Sequence, residues 1–165
     1  MTRLGAGVPL VAPLGWEMVP PAAVGAPGLA LLAIREGATT SGFTPTMSVA
    51  LHDDVDAEAV ARIGSETVRR LDAREQDVRI RRREAIGSGR TEGLAQELRL
   101  TTWIDGHPVE VVQLLVVLVL AAPESGRLVA WGVTASAAVQ DLGEVLPDVE
   151  AFVAGLGSRP APAAD

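Results

Sequence analysis

The sequence predicts an α+β fold: a mostly antiparallel sheet of six or seven strands with helices packed against it. Three observations lead there. Residues 111–122, "VVQLLVVLVLAA", carry no charge and one polar side chain, and valine occupies 111, 112, 116, 117 and 119. The β-branched side chains favour an extended strand, and the run is too short to cross a bilayer, which takes about 20 apolar residues as a helix. The flanks "IDGHPV" and "APESGRLV" carry hairpin-turn signals, while "DVRIRRREAIG" and "LAQELRLTTWI" upstream alternate apolar with polar residues. Finally, two segments, one on each side of this meander, repeat their apolar residues at helical spacing.

Taken in order, residues 1–13 read as a flexible segment, because glycines at 5 and 7 and prolines at 9 and 13 break any helical signal core. A single domain is expected over 14–157, followed by a disordered tail, "SRPAPAAD", over 158–165. Strands are expected near 15–19, 28–36 and 47–52. A helix over 56–74 follows, with Val60, Ile63, Thr67, Val68 and Leu71 on one side. Acids at 53, 54, 56 and 58 suit its N-terminal end, and Glu58–Arg62 and Glu66–Arg70 are spaced to pair. The meander occupies 77–87, 94–104, 109–122 and 127–136. Leu142, Val145, Leu146, Val149, Phe152, Val153 and Leu156 form a last apolar stripe. Proline costs about 3 kcal/mol inside a helix, so a short turn should end near Val145 and a new helix begin at Pro147.

The long strand is apolar on both faces. Val111, Leu115, Val117 and Val119 point one way, and Val112, Leu114, Val116, Leu118 and Leu120 the other. A strand with one wet face would alternate, so this one needs protein above and below it. Pairing Ala121 with Leu128 would continue one face through Val129, Trp131 and Val133 and the other through Ala130 and Gly132. The two helices are the available covers.

The order of elements, with Phe43 and Pro45 entering a strand and Gly93 and Gln113 within the meander, resembles the Mog1/PsbP-like fold, including actinobacterial LpqN-type and bacterial DcrB-type members. The resemblance spans approximately residues 14–156. Thr46 and Met47 stand where many relatives have an Asn-Val pair. The lipidated cysteine of the LpqN-type lipoproteins is absent, which implies a soluble form. The resemblance implies protein binding, as in regulators, assembly factors or secretion chaperones, and supplies no catalytic residue.

Composition excludes several chemistries. All 14 basic residues are arginine and there is no cysteine, which removes Schiff-base lysines, thiolate nucleophiles, thiolate metal sites and disulfides. A formal net charge of -7 disfavours nucleic acid as a partner. Only His52 and His107 could serve as imidazole bases, and no nucleophile-elbow pattern accompanies them. "HDDVD" at 52–56 lacks the glycine and distal glutamate of a calcium loop and reads as helix capping. No catalytic, cofactor-binding or metal-ligating residue is therefore expected.

The candidate partner-binding residues are Trp103, Arg79, Arg81, Arg83 and Arg99. "RIRRR" at 79–83 could dock an acidic partner, although charge runs usually form solvated faces. Alternation puts Arg79, Arg81 and Arg83 on one face and Ile80 and Arg82 on the other. Pairing Ile86 with Leu94 would set Arg83 opposite Glu97 and Arg81 opposite Arg99. Trp103, beside a tight turn, is either an interface anchor or an ordinary strand-end residue. Trp16 and Trp131 are expected in the core.

The expectation is a cytoplasmic, non-enzymatic adaptor or chaperone-like module for secretion or assembly, binding another protein or a second copy of itself, with no membrane insertion and no cofactor. The alternative is a carrier of a small apolar ligand held between sheet and helices, with Gln113 and Thr134 among inward polar groups.

Overall fold

The meander forms at the centre of a seven-stranded sheet. The computed structural model describes residues 2–3, 9–37, 41–53, 55–88, 91–121 and 125–157. A two-residue pair, β1 (Thr2–Arg3) and β2 (Pro9–Leu10), stands apart. The main sheet consists of β3 (Trp16–Met18), β4 (Leu29–Arg35), β5 (Thr46–His52), β6 (Gln76–Ile86), β7 (Gly93–Ile104), β8 (His107–Ala121) and β9 (Leu128–Ala138). Their order is β3-β4-β5-β9-β8-β7-β6, and every neighbouring pair is antiparallel. Helix α1 (Ala59–Asp72) carries the chain from β5, inside the sheet, to β6 at its outer edge, and α2 (Leu142–Gly157) closes the chain.

From Val117 onward strand β8 has protein on both sides, as its composition requires, whereas Leu114 and Val116 earlier in the strand are only half-buried on the α2 side, short of the full enclosure expected. Ala121 pairs with Leu128, which sets the whole β8–β9 register. On one side Leu115, Val117, Val119, Ala130 and Leu94 form a cluster against Val60 and Ile63 of α1. On the other, Trp131, Val133, Ala135, Met47, Val49 and Ala33 pack with Val145 and Val149 of α2, and Leu118 and Leu120 extend this larger cluster. Val112 and Val117 are both fully buried, one on each side. Each such valine contributes about 1.5–3 kcal/mol through removal from water. Trp16 and Trp131 lie in the core as expected.

Three details differ from the sequence expectations. First, α2 is one helix that runs through Pro147. The exposed proline leaves one carbonyl in the first turns without its donor, a loss offset because Val145 and Val149, on either side of it, are both buried. Second, Leu10, for which no core role was expected, is 1 % exposed and packs in the larger cluster. Third, α1 is opened by Asp56, whose Oδ1 accepts the Glu58 N–H at 3.0 Å and lies 3.5 Å from Arg62. Glu66 pairs with Arg69, three residues on, where the Glu66–Arg70 and Glu58–Arg62 spacings were expected to serve. The tail at 158–165 lies outside the described residues.

Candidate interaction surface

The two helices cover the sheet diagonally. Helix α2 packs on β8 and β9, and α1 on β6, β7 and β8 of the opposite side. On the α2 side, therefore, β6, β7 and half of β8 have no helix over them. Alternation from the β7–β8 register brings Glu97, Arg99, Thr101 and Trp103 of β7 to this open face, with Glu110, Leu114 and Val116 of β8. Leu114 and Val116 are half-buried, and Trp103 is 55 % exposed.

Strand β6 adds its arginines in an order that alternation alone does not predict. Ile86 pairs with Gly93, one residue from the expected partner, and register shifts fall between Gln76 and Arg79 and between Ile80 and Arg82. A bulge moves one extra residue past its partner strand and reverses the in–out pattern beyond it. The consequences correct the expected faces. Arg79 stands opposite Arg99, Arg82 opposite Glu97 and Arg83 opposite Gln96. Arg79, Arg81, Arg99 and Thr101 share one shallow depression with Glu110, and Arg82 joins that face by pairing with Glu84 at 2.9 Å.

Arg83 is on the other side. Its Nε donates to Gln96 Oε1 at 2.7 Å, its terminal nitrogen to Ser65 Oγ at 3.4 Å, and Gln96 Nε2 donates to the Gly64 carbonyl at 3.4 Å. Gly64 permits this approach, because a Cβ there would come 2.5 Å from Leu94 Cδ2 and 2.7 Å from the Arg83 guanidinium. Arg83 thus ties α1 to the outer strands, on the side of the sheet opposite the open face. Of the five candidates, Arg79, Arg81 and Arg99 come together, Trp103 stands on the same face four residues along β7 from Arg99, and Arg83 is on the other side.

The charges of the open face are unequal in occupation. Arg99 lies 3.5 Å from Glu97 and 3.3 Å from Glu110, which offsets the repulsion of the directly opposed Arg79. The side chains of Arg79 and Arg81 make no hydrogen bond or ion pair among the described residues. They stand on the edge strand of the sheet, where exposed charge and bulges also oppose unwanted strand addition. The sequence pointed to the arginine run and Trp103. It also allowed that the β8 face bearing Val116 and Leu118 lies either under a helix or at an interface; it did not divide that face into Leu118, packed in the core cluster, and Leu114 and Val116 beyond it.

Two depressions lie on the α1 side. One, about 540 Å³, is lined by Val55, Val60, Leu94, Val119 and Leu128. The second, about 350 Å³, separates α1 from β5 and β9 and is reached by His52, Arg70, Gln113 and Thr134. Burial and the nearby Arg70 guanidinium push the His52 imidazole below its ordinary value of 6.5, against a smaller opposing pull from Glu66. The two histidines do not converge: His52 is level with Val119 along the sheet, and His107 lies at the far end of β8, roughly 40 Å away at 3.4 Å per residue. No group of three or more His, Asp or Glu residues able to hold a metal occurs among the described residues. No helix among them is long and apolar enough to cross a membrane.

No protein-family model matches the sequence, and no curated protein matches it significantly. Solved structures do match. LpqN of Mycobacterium tuberculosis, involved in cell envelope biogenesis, aligns at a TM-score of 0.58 with 14 % identity, over 86 % of this chain and 77 % of its own. PA94 of Pseudomonas aeruginosa, a protein of unknown function, aligns at 0.52 with 9 % identity, over 80 % and 83 %. The Saccharomyces cerevisiae Ran-binding protein Mog1p aligns at 0.46 with 12 % identity, over 84 % and 77 %. An antiparallel seven-stranded sheet with a helix on either side, superposing on LpqN over most of both chains, gives this protein the Mog1/PsbP-like fold that its order of elements led us to expect.

Proposed function

We propose that the protein is a non-enzymatic, protein-binding adaptor or chaperone-like module whose docking surface is the open face of β6, β7 and β8. The observation that carries this reading is the pairing of two unengaged arginines, Arg79 and Arg81, with an exposed Trp103 and the half-buried Leu114 and Val116 on one helix-free sheet face. Such a surface suits a polypeptide that brings carboxylates to the arginines and an apolar side chain to the tryptophan. Arg99, already held by Glu97 and Glu110, serves as a fixed part of the platform. LpqN is involved in cell envelope biogenesis, so assembly and secretion pathways are where the partner is first sought, on analogy of fold. A cytoplasmic location is part of the proposal, and cell fractionation tests it.

A photo-crosslinking residue at position 103, compared with one at Glu150 on α2, should capture a distinct protein from the native cells. Purified, that protein should bind the Arg79→Glu/Arg81→Glu double variant at least about tenfold more weakly, the loss of about 1.4 kcal/mol. Capture of the chain by itself would redirect the reading to self-association. Unchanged affinity of the double variant would refute the surface.

The second reading, a carrier of a small apolar ligand, is favoured by the 540 Å³ depression and its valine and leucine lining. Native mass spectrometry decides it: a lipid-sized mass retained by the purified protein supports the carrier.

A further inference from the structure

The side of the sheet away from the proposed docking face also has an uncovered half. Helix α1 packs mainly over β6, β7 and β8, and a groove remains beside it over parts of β5 and β9, at Ser48, Ala50, Gly132 and Thr134. We infer that the 350 Å³ groove there binds a small organic acid, holding its carboxylate with Arg70, Arg74 and His52 and an adjacent hydroxyl or amide with Gln113. The inference stands on different residues from the protein-docking reading and does not depend on it.

Charge is the first argument. In a chain of net charge -7, the groove gathers Arg70 from α1, Arg74 from just beyond its end and an imidazole from β5. The guanidinium groups of Arg70 and Arg74 make no hydrogen bond or ion pair among the described residues, and Glu66, the nearby acid, is taken by Arg69 at 3.3 Å. A carboxylate would meet guanidinium groups suited to hold it bidentately.

The second argument is Gln113. Its Nε2 is 3.1 Å from Ser136 Oγ, while Oε1 is buried with no partner. Turning the amide over would exchange the two ends and leave the other one orphaned. A buried polar group without a partner costs about 1–3 kcal/mol; Oε1 has almost no accessible surface, so a ligand hydroxyl or amide removes that cost once the Gln113 amide turns toward the groove it lines.

The third is Gly132, in the middle of β9. A central strand loses stability at glycine, so a steric or conformational cause is expected. Neither is present: its φ is not positive, and a Cβ would meet nothing nearer than His52 Nε2 at 3.6 Å. What the glycine does is keep the floor of the groove open between Ala50 and Thr134. The volume is near the lower end of small-molecule sites, about 300–1,000 Å³, which limits the ligand to a small acid whose apolar portion rests on Leu71 and Leu115.

The test uses N-acetyl-leucine as probe, 2-hydroxyisocaproate as a second acid and N-acetyl-leucinamide as the uncharged control, followed by NMR. Both acids should shift the Gly132, Thr134 and His52 signals at up to about 10 mM, the weak limit of specific recognition, and raise the titration midpoint of His52. The amide should do neither. Arg70→Gln and Gly132→Val should each weaken acid binding about tenfold or more, and Gly132→Val should leave the fold as stable as before or more so, since valine suits a strand. Binding of one acid alone still supports the site and tells hydroxyl from amide at Gln113. Equal binding of acids and amide, unaltered affinity in both variants, or no shifts at all would overturn the inference.

Discussion

The α2 side of the sheet has two halves that share one backbone plane and differ in almost every side chain. Over β4, β5 and β9 it presents Ala33, Met47, Val49, Trp131 and Val133, all sealed beneath α2 and the entering chain. Over β6 and β7 the same surface presents Arg79, Arg81, Arg82, Glu84, Glu97, Arg99 and Trp103. Strand β8 joins them, with Leu118 and Leu120 under the helix and Leu114 and Val116 beyond it. The contrast teaches that the outer half is not core that happens to lack a cover. Its charges are placed for water or for a partner, and only the narrow strip on β8 and Trp103 retain apolar character.

Two tryptophans give the largest test of that contrast. Trp131→Ala, in the inner half, should destabilise the protein by about 3–5 kcal/mol in denaturant unfolding, whereas Trp103→Ala should stay within about 0.5 kcal/mol. Equal losses would mean that the outer half is packed as core. Next comes Gly64→Ala, which drives a methyl group into Leu94 and the Arg83 guanidinium. It should cost about 2 kcal/mol and raise amide exchange in α1 and β6 ahead of β9.

A smaller effect separates the two kinds of arginine. Arg83→Met strands Gln96 and should cost about 1 kcal/mol without weakening the partner, while Arg81→Met should leave stability unchanged and weaken the partner. The reverse pattern would exchange the roles assigned to the two faces. The smallest effect concerns pH. Burial, then Arg70, lowers the folded-state value of His52 below 6.5, so folding favours the neutral ring. The associated stability is fully present above 6.5 and is lost as pH falls through the lower folded value. His52→Asn should flatten that part of a stability–pH profile, and an unchanged slope would remove His52 as its source.

Much of this was legible in residues. Valine density and two apolar faces specified β8 as a covered strand, and the Asp105–Gly106 turn, with φ of 49° and 78°, fits the hairpin its sequence suggests. Trp16 was readable as core, yet its Nε1 donation to Asp148 at 2.9 Å, beside Arg35, was not, because the partners lie at opposite ends of the chain. The arginine run was visible as a candidate, but its division was not. Two register shifts in β6 decide which side each arginine takes, and a bulge depends on the partner strand and leaves no periodic mark. The α1-side groove was foreshadowed only by Gln113 and Thr134; Arg70, Arg74 and Gly132 had no motif to announce them.

What the sequence alone determined was the main strands and the two apolar helical stripes, and that both faces of the central strand need protein over them, since burial preference and backbone periodicity are local properties. Only the tertiary structure decided where each helix lies across the sheet, which half of each face stays open, and which side of the sheet each arginine of the run takes. Those outcomes follow from register and from helix placement, both set by contacts between residues far apart in the chain.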